Sequence, residues 1–239
     1  MDGSFNTAVN FTINNDLLEE NTDIFGKDYP PLMITENITA DFPVLEHLNL
    51  VNVVLPKELV LSNYKKLQTV NLSKSDTESV IFPQTGIFNS VTLPRTIKNF
   101  EIYNNPGLET VIFEGYDNIE NVYIDCAKCG KFNVANFCEN LSSVSLKSVT
   151  LKNLNNIYLT EEALQRLVDV QCDLEGTITV VDSIGSTVPK AISFNTKLEL
   201  VKKFGNIDTG SKGLIIKYTS SNIAYANIVF PSEVSAFYV

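Results

Sequence analysis

The sequence predicts a mainly β repeat protein: a solenoid of short parallel strands closed by one terminal helix and followed by a small β-rich, sandwich-like module. Three observations predict it. An apolar-x-x-apolar-x-apolar pattern occurs eight times between Leu45 and Leu159. Successive copies lie 20 to 22 residues apart, as from Leu45 to Leu67, Phe88 and Leu108, or from Ile97 to Ile119 and Leu141. A helix-start signature followed by a glycine-led apolar run then ends the array at residues 160–181.

Residues 1–40 precede the array as a cap or arm. They hold one strand candidate, Ala8–Ile13, a helix-like Asp16–Glu20, and the breaker Pro30-Pro31. The array spans 41–183. Its units are Leu45/Leu48/Leu50, Leu67/Val70/Leu72, Phe88/Val91/Leu93, Ile97/Phe100/Ile102, Leu108/Val111/Phe113, Ile119/Val122/Ile124, Leu141/Val144/Leu146 and Leu154/Ile157/Leu159. The last two apolar positions of each unit are two apart and point to one side of a short strand. Stacked units bury those side chains against the units above and below. Steps of 9, 11 and 11 through Phe88, Ile97, Leu108 and Ile119 place a second extended segment on the opposite side of the middle coils. Thr160 can cap the helix 161–168, where Glu161 and Glu162 favour its N-terminus and Leu164, Leu167 and Val168 share one face. Gly176–Val181 follows as a strand. The C-terminal module, 184–239, has strand-like runs at Ala191–Phe194, Gly213–Tyr218, Ile223–Phe230 and Val234–Val239.

A period near 22 lies in the range of leucine-rich repeats. Leu45-Glu46-His47-Leu48-Asn49-Leu50 and Leu67-Gln68-Thr69-Val70-Asn71-Leu72 resemble that family, nearest the irregular, β-rich bacterial kind called BspA-like, over roughly residues 41–182. The family's Asn three residues after the third apolar position stands here as Asn105, with Val53, Ser75 and Thr96 in other units. The helix and the Gly-Thr-Ile strand after it are similar to the terminating segment of bacterial and bacteriophage leucine-rich proteins. Lys203–Asp208 with Gly213–Ile216 is similar to segments in structural proteins of phages and prophages of gut Bacteroidetes.

Composition narrows the function. Lys plus Arg is 18 against 28 Asp plus Glu, a net charge of -10. That argues against nucleic acid as a partner, since phosphate neutralisation needs a basic surface. Arg95 and Arg166 are the only arginines, so the bidentate forks of phosphoryl-transfer sites are nearly absent. The acidic excess lies in residues 1–120, with 17 acids and 7 bases, whereas 121–239 are balanced at 11 and 11. No run approaches the roughly 20 apolar residues of a membrane span. The start, Met1-Asp2-Gly3-Ser4-Phe5-Asn6, lacks the order of a signal peptide, which predicts a soluble chain made in the cytoplasm.

Candidate chemical groups are few. Cys126-x-x-Cys129, with Cys138 and Cys172 downstream, lacks the second short-spaced pair of a zinc site. Cys126 also continues the inward alternation of Val122 and Ile124, so reduced, mostly buried thiols are expected, with no metal and no cofactor. His47, the single histidine, occupies an outward position and is the sole candidate base for a serine or cysteine nucleophile. Asp208–Gly213 has the wrong glycine spacing for a phosphate loop and reads as a turn. The acids Glu109, Glu114, Asp117 and Glu120 read as a solvated face.

Aromatics near the strands remain. Tyr103, Tyr116, Tyr123 and Tyr158 can anchor a partner or pack between coils. The expectation is a non-enzymatic protein making contacts with proteins or with copies of itself, as a structural subunit of a phage virion or tail made in the host cytoplasm. The alternative is a bacterial cell-surface adhesin or glycan-binding module whose export signal has been removed.

Overall fold

The structure, a computed structural model, describes residues 10–16, 33–34, 44–129 and 131–219. From residue 47 onward the chain alternates between two parallel sheets. The strands β2 (His47–Val51), β4 (Thr69–Asn71), β6 (Ser90–Leu93) and β8 (Thr110–Phe113) lie in a five-stranded sheet, with β1 (Asn10–Asn14) on the outer side of β2. Between them, β3 (Glu58–Val60), β5 (Ser79–Ile81), β7 (Asn99–Ile102) and β9 (Asn121–Asp125) enter a second sheet. That sheet continues through β10 (Ser148–Thr160), β11 (Gln171–Val181) and β12 (Leu214–Lys217) to seven strands, ordered β12-β11-β10-β9-β7-β5-β3. Among the described residues three helices accompany them: α1 (Val134–Asn140), α2 (Glu161–Val168) and α3 (Phe194–Phe204). Among the described residues no barrel closes, and no helix is long and apolar enough to cross a membrane.

Side-chain alternation explains the two-sheet arrangement. In β2, β4 and β6 the buried residues Leu48, Leu50, Val70, Val91 and Leu93 point inward. They meet Leu59, Val80, Phe100, Ile102, Val122 and Ile124 of the opposite sheet in one continuous core. The steps of 9 and 11 thus mark the strands β7 and β9. The parallel register pairs Val70 with Val91 and Val91 with Val111, and Phe100 with Val122.

Turns between strands leave backbone groups inside, and short polar side chains satisfy them. Ser75 Oγ donates to Leu50 O at 2.9 Å and accepts from Val53 N at 3.1 Å. Thr77 Oγ1 donates to Pro56 O at 2.8 Å, and Thr96 Oγ1 donates to Thr77 O at 2.9 Å. Asn105, 2% exposed, accepts from Phe88 N at 3.0 Å. Ser75, Thr96 and Asn105 stand at equivalent positions, so hydroxyls serve in two turns where an asparagine serves in the third.

The helix expected after Thr160 is α2, capped by Thr160 Oγ1, which accepts from Ala163 N at 3.2 Å, with Leu164 and Leu167 buried. Three departures from expectation follow from competing periodicities. The unit Leu141/Val144/Leu146 forms no strand, and Val144 is 95% exposed. Val134, Phe137, Cys138 and Leu141 are buried at helical spacing instead, which places α1 there with Asn133 as its cap. The array therefore has more than one helix.

Ala191–Phe194 is no strand. Ser193 Oγ accepts from Thr196 N at 3.2 Å and starts α3, whose Thr196, Leu200 and Phe204 face inward four residues apart. The strand expected at Gly213–Tyr218 is β12, Leu214–Lys217, which pairs with β11 in parallel, Leu214 opposite Gly176, and so forms the edge of the seven-stranded sheet. The strands expected at Ile223–Phe230 and Val234–Val239, the helix at Asp16–Glu20 beyond Asp16, and the breaker Pro30-Pro31 lie outside the described residues.

Candidate functional site

The outward positions of the seven-stranded sheet carry an ordered surface. The residues just before β3, β5, β7, β9 and β10 alternate in sign: Lys57, Glu78, Lys98, Glu120 and Lys147. Backbone bonds stack this row, from Glu78 N to Lys57 O at 2.8 Å and from Lys98 N to Glu78 O, Glu120 N to Lys98 O and Lys147 N to Glu120 O at 2.7 Å each. Glu78 sits between Lys57 at 3.5 Å and Lys98 at 2.7 Å, and Lys147 pairs with Glu120. The bond from Lys98 holds the Glu78 carboxyl below its ordinary range, and the same bond raises Lys98. The row is partly solvent-exposed and its charges pair with one another, so it adds register more than stability.

Next along the strands runs a hydrogen-bonded row: Asn121 Nδ2 donates to Asn99 Oδ1 at 2.8 Å, and Ser148 Oγ donates to Asn121 Oδ1 at 2.8 Å. Beyond it lie Glu101, opposite Tyr123, and Tyr103, which follows β7 and is the diagonal neighbour of Tyr123. The two tyrosine rings stand 4.7 Å apart with a 31° interplanar angle. Tyr103 is exposed, and its Oη donates to Glu101 Oε2 at 2.9 Å, which raises its pKa together with desolvation. Farther along, Lys152 bridges Asp173 at 2.6 Å and Glu175 at 3.5 Å, while Asn153 Nδ2 donates to Asp125 Oδ1 at 2.8 Å.

Of the four candidate tyrosines, the structure brings together Tyr103 and Tyr123. Tyr116 packs inward, 5.1 Å from the Phe113 ring and 6.0 Å from Phe137, and burial raises its pKa. Tyr158 is half-buried on β10 opposite Thr179 of β11. His47 is half-buried on β2, with Nδ1 2.8 Å from Thr69 Oγ1 of the neighbouring strand. Asp208–Gly213 is turn, tied by Asn206 Oδ1, which accepts from Asp208 N at 3.0 Å.

Around the end of β9 a cleft of about 650 Å³ opens, lined by Cys126, Cys129, Phe132, Leu154, Asn155 and Glu175 among others. Two irregularities in β10 shape it: the register with β11 shifts on both sides of Leu154, and Asn153 and Asn156 each adopt φ 55°. All four cysteines are free. Burial pushes the Cys126 thiol up to about 12, with Cys129 adding to it, and pushes Cys172 up to about 12 and Cys129 up to about 11. Cys138 is raised by burial as well. Protonated thiols are poor nucleophiles and poor metal ligands. Among the described residues no group of three or more His, Cys, Asp or Glu converges as a metal site. The alternating charge row and the cleft are what sequence reasoning missed; the row was signalled by charges of opposite sign one period apart, whereas the cleft depends on bulges that leave no periodic mark.

These thiols give the fold an alkaline weakness. A free thiol ionises near 8.5, so from about pH 9 to about pH 11 an unfolded chain has released protons that the folded chain retains, and stability falls as pH rises. Replacing Cys126 and Cys172 with Ala is expected to shrink the drop in thermal midpoint between about pH 8 and about pH 10 relative to the unsubstituted protein. An unchanged drop in the double variant would show that these groups titrate alike in both states.

Comparison of the chain with protein-family models, with curated proteins and with solved structures returns no match.

Proposed function

We propose that the chain is a leucine-rich-repeat solenoid of the irregular bacterial kind and works without catalysis, as a structural subunit held in a larger assembly such as a phage virion or tail. The observation that supports this reading is contact at one period in both sheets. Side chains about 22 residues apart touch repeatedly, as in His47 with Thr69, Gln68 with Glu46, and Asn121 with Asn99. A chain stacked this way presents an extended, regular face suited to protein partners or to further copies of itself.

On that face the Tyr103–Tyr123 pair is the anchor. Two adjoining rings supply large contact area at low entropic cost, and each hydroxyl keeps a polar handle. The neighbouring charges already have partners within the chain, so association draws on apolar and aromatic area more than on long-range attraction.

One observation favours a second reading, a cell-surface glycan-binding module. The row of two amides and a hydroxyl, Asn99–Asn121–Ser148, lies beside the tyrosine pair and offers donors and acceptors next to a stacking surface.

Light scattering of the purified chain over a wide concentration range tests the first reading. The expected result is defined species at integer multiples of the monomer mass, reduced to monomer by Tyr103→Ser with Tyr123→Ser. A monomer at every concentration would remove self-assembly and turn attention to the second reading.

A further inference from the structure

A second surface, on α3 and the connection that leads to it, exposes apolar side chains. Phe194, Leu198 and Val201 of α3 are 62%, 41% and 38% exposed. They lie four and three residues apart and so form one stripe along the helix. The inward stripe of the same helix is a different set, Thr196, Leu200 and Phe204. Ile184 and Val188, in the connection leading to α3, are 67% and 70% exposed. Contiguous apolar exposure of this kind marks a surface that another segment covers.

The path of the chain indicates which segment. After β12, Thr219 N donates to Lys190 O at 3.0 Å, just past Val188. The Tyr218 ring lies 5.0 Å below Lys197 Nζ of α3, and its Oη donates to Asp208 Oδ1 at 2.6 Å. The described chain therefore ends against α3. The 20 residues that follow, 220–239, include Ile223, Tyr225, Ile228, Phe230, Val234 and Phe237, with Glu233 as the single charged residue. Fully extended, four residues reach about 13 Å, and an 11-residue helix is about 16 Å long. The segment is thus both long enough and apolar enough to lie along the stripe.

We propose that residues 220–239 of the same chain dock on the Phe194–Leu198–Val201 stripe of α3. Attachment at Thr219 favours this occupant over a second copy, because a short tether holds the segment at an effective concentration near the millimolar range. Docking there would cover an exposed apolar stripe that otherwise invites non-specific association.

The test uses the full chain with a photo-crosslinking benzoylphenylalanine in place of Leu198, irradiated as an equal mixture of isotopically light and heavy protein. Adducts between position 198 and residues 220–239, both of one isotope, are the expected result. Mixed-isotope adducts would assign the stripe to a second copy, and adducts elsewhere or none would overturn the docking altogether. A second measurement compares chymotrypsin cleavage after Tyr225 and Phe237 in the full chain and in its L198D/V201D variant. Docking predicts cleavage about tenfold faster in the variant, with sites in residues 44–129 unaffected; equal rates at Tyr225 and Phe237 would overturn it.

Discussion

Replacing Phe137 with alanine is expected to lower the free energy of unfolding by about 3–5 kcal/mol, the range for deleting a buried aromatic ring. Phe137 is 1% exposed. Its ring lies 5.7 Å from Phe100, 5.1 Å from Phe113, 6.0 Å from Tyr116 and 5.7 Å from Phe132. Phe100 comes from the seven-stranded sheet and Phe113 from the last strand of the five-stranded one, so α1 seals the gap between the sheets at the point where the smaller sheet stops. All four of those neighbours are aromatic rings fixed by their own strands or turns, and they cannot collapse far into the space left behind. Val144, 95% exposed a few residues later, is the control: its replacement by alanine should change stability by less than about 0.5 kcal/mol. Urea unfolding measures both, with a shifted midpoint and an unchanged slope expected for Phe137→Ala. Equal midpoints for the two variants would mean that the ring cluster does not hold the sheets together.

Phe137 also shows where sequence reading ends. The inward residues of β2, β4, β6, β7 and β9 were legible because each repeat unit states its own alternation locally, and the steps of 9 and 11 marked the opposite strands. The strands β3 and β5 were not, since their inward pairs Leu59/Leu61 and Val80/Phe82 are preceded at the first position of the pattern by Pro56 and Thr77, where the other units carry Leu, Ile or Phe. Residues 134–146 carry two patterns at once, a helical one through Val134, Phe137, Cys138 and Leu141 and a strand-like one through Leu141, Val144 and Leu146. Only the space beside β8 decides between them. The helix α3 was hidden because a threonine, Thr196, occupies one of its three inward positions. At the candidate site the outward placement of Tyr103 and Tyr123 could be read from alternation. That Tyr116 turns into the aromatic cluster could not, because it follows a turn whose direction no periodicity encodes.

Gly176→Ala is expected to cost at least about 3 kcal/mol, more than the usual penalty for strained backbone alone. Gly176 has φ +120°, a region that L-residues rarely adopt. A Cβ there would stand 2.3 Å from Leu154 O, 2.4 Å from Leu154 N and 2.8 Å from Leu154 Cα. The cause lies in β10: its register against β11 shifts between Leu151 and Leu154 and again between Leu154 and Ile157, and this double bulge drives the Leu154 backbone toward β11. Every clashing atom is main chain, so no rotamer change relieves the conflict. β11 cannot retreat either, because it pairs with β12 on its other side and Gly176 N donates to Gly213 O at 2.8 Å. Gly185→Ala separates the two contributions: Gly185 has φ +86° with nothing within 4 Å of the added carbon, and its loss should cost about 1–2 kcal/mol. Unfolding midpoints of the two variants, with amide exchange along β11, decide the matter. A cost at Gly176 no larger than at Gly185 would show that β10 can relax away, and with it that the cleft beside Cys126 and Leu154 is pliable rather than fixed by the bulges.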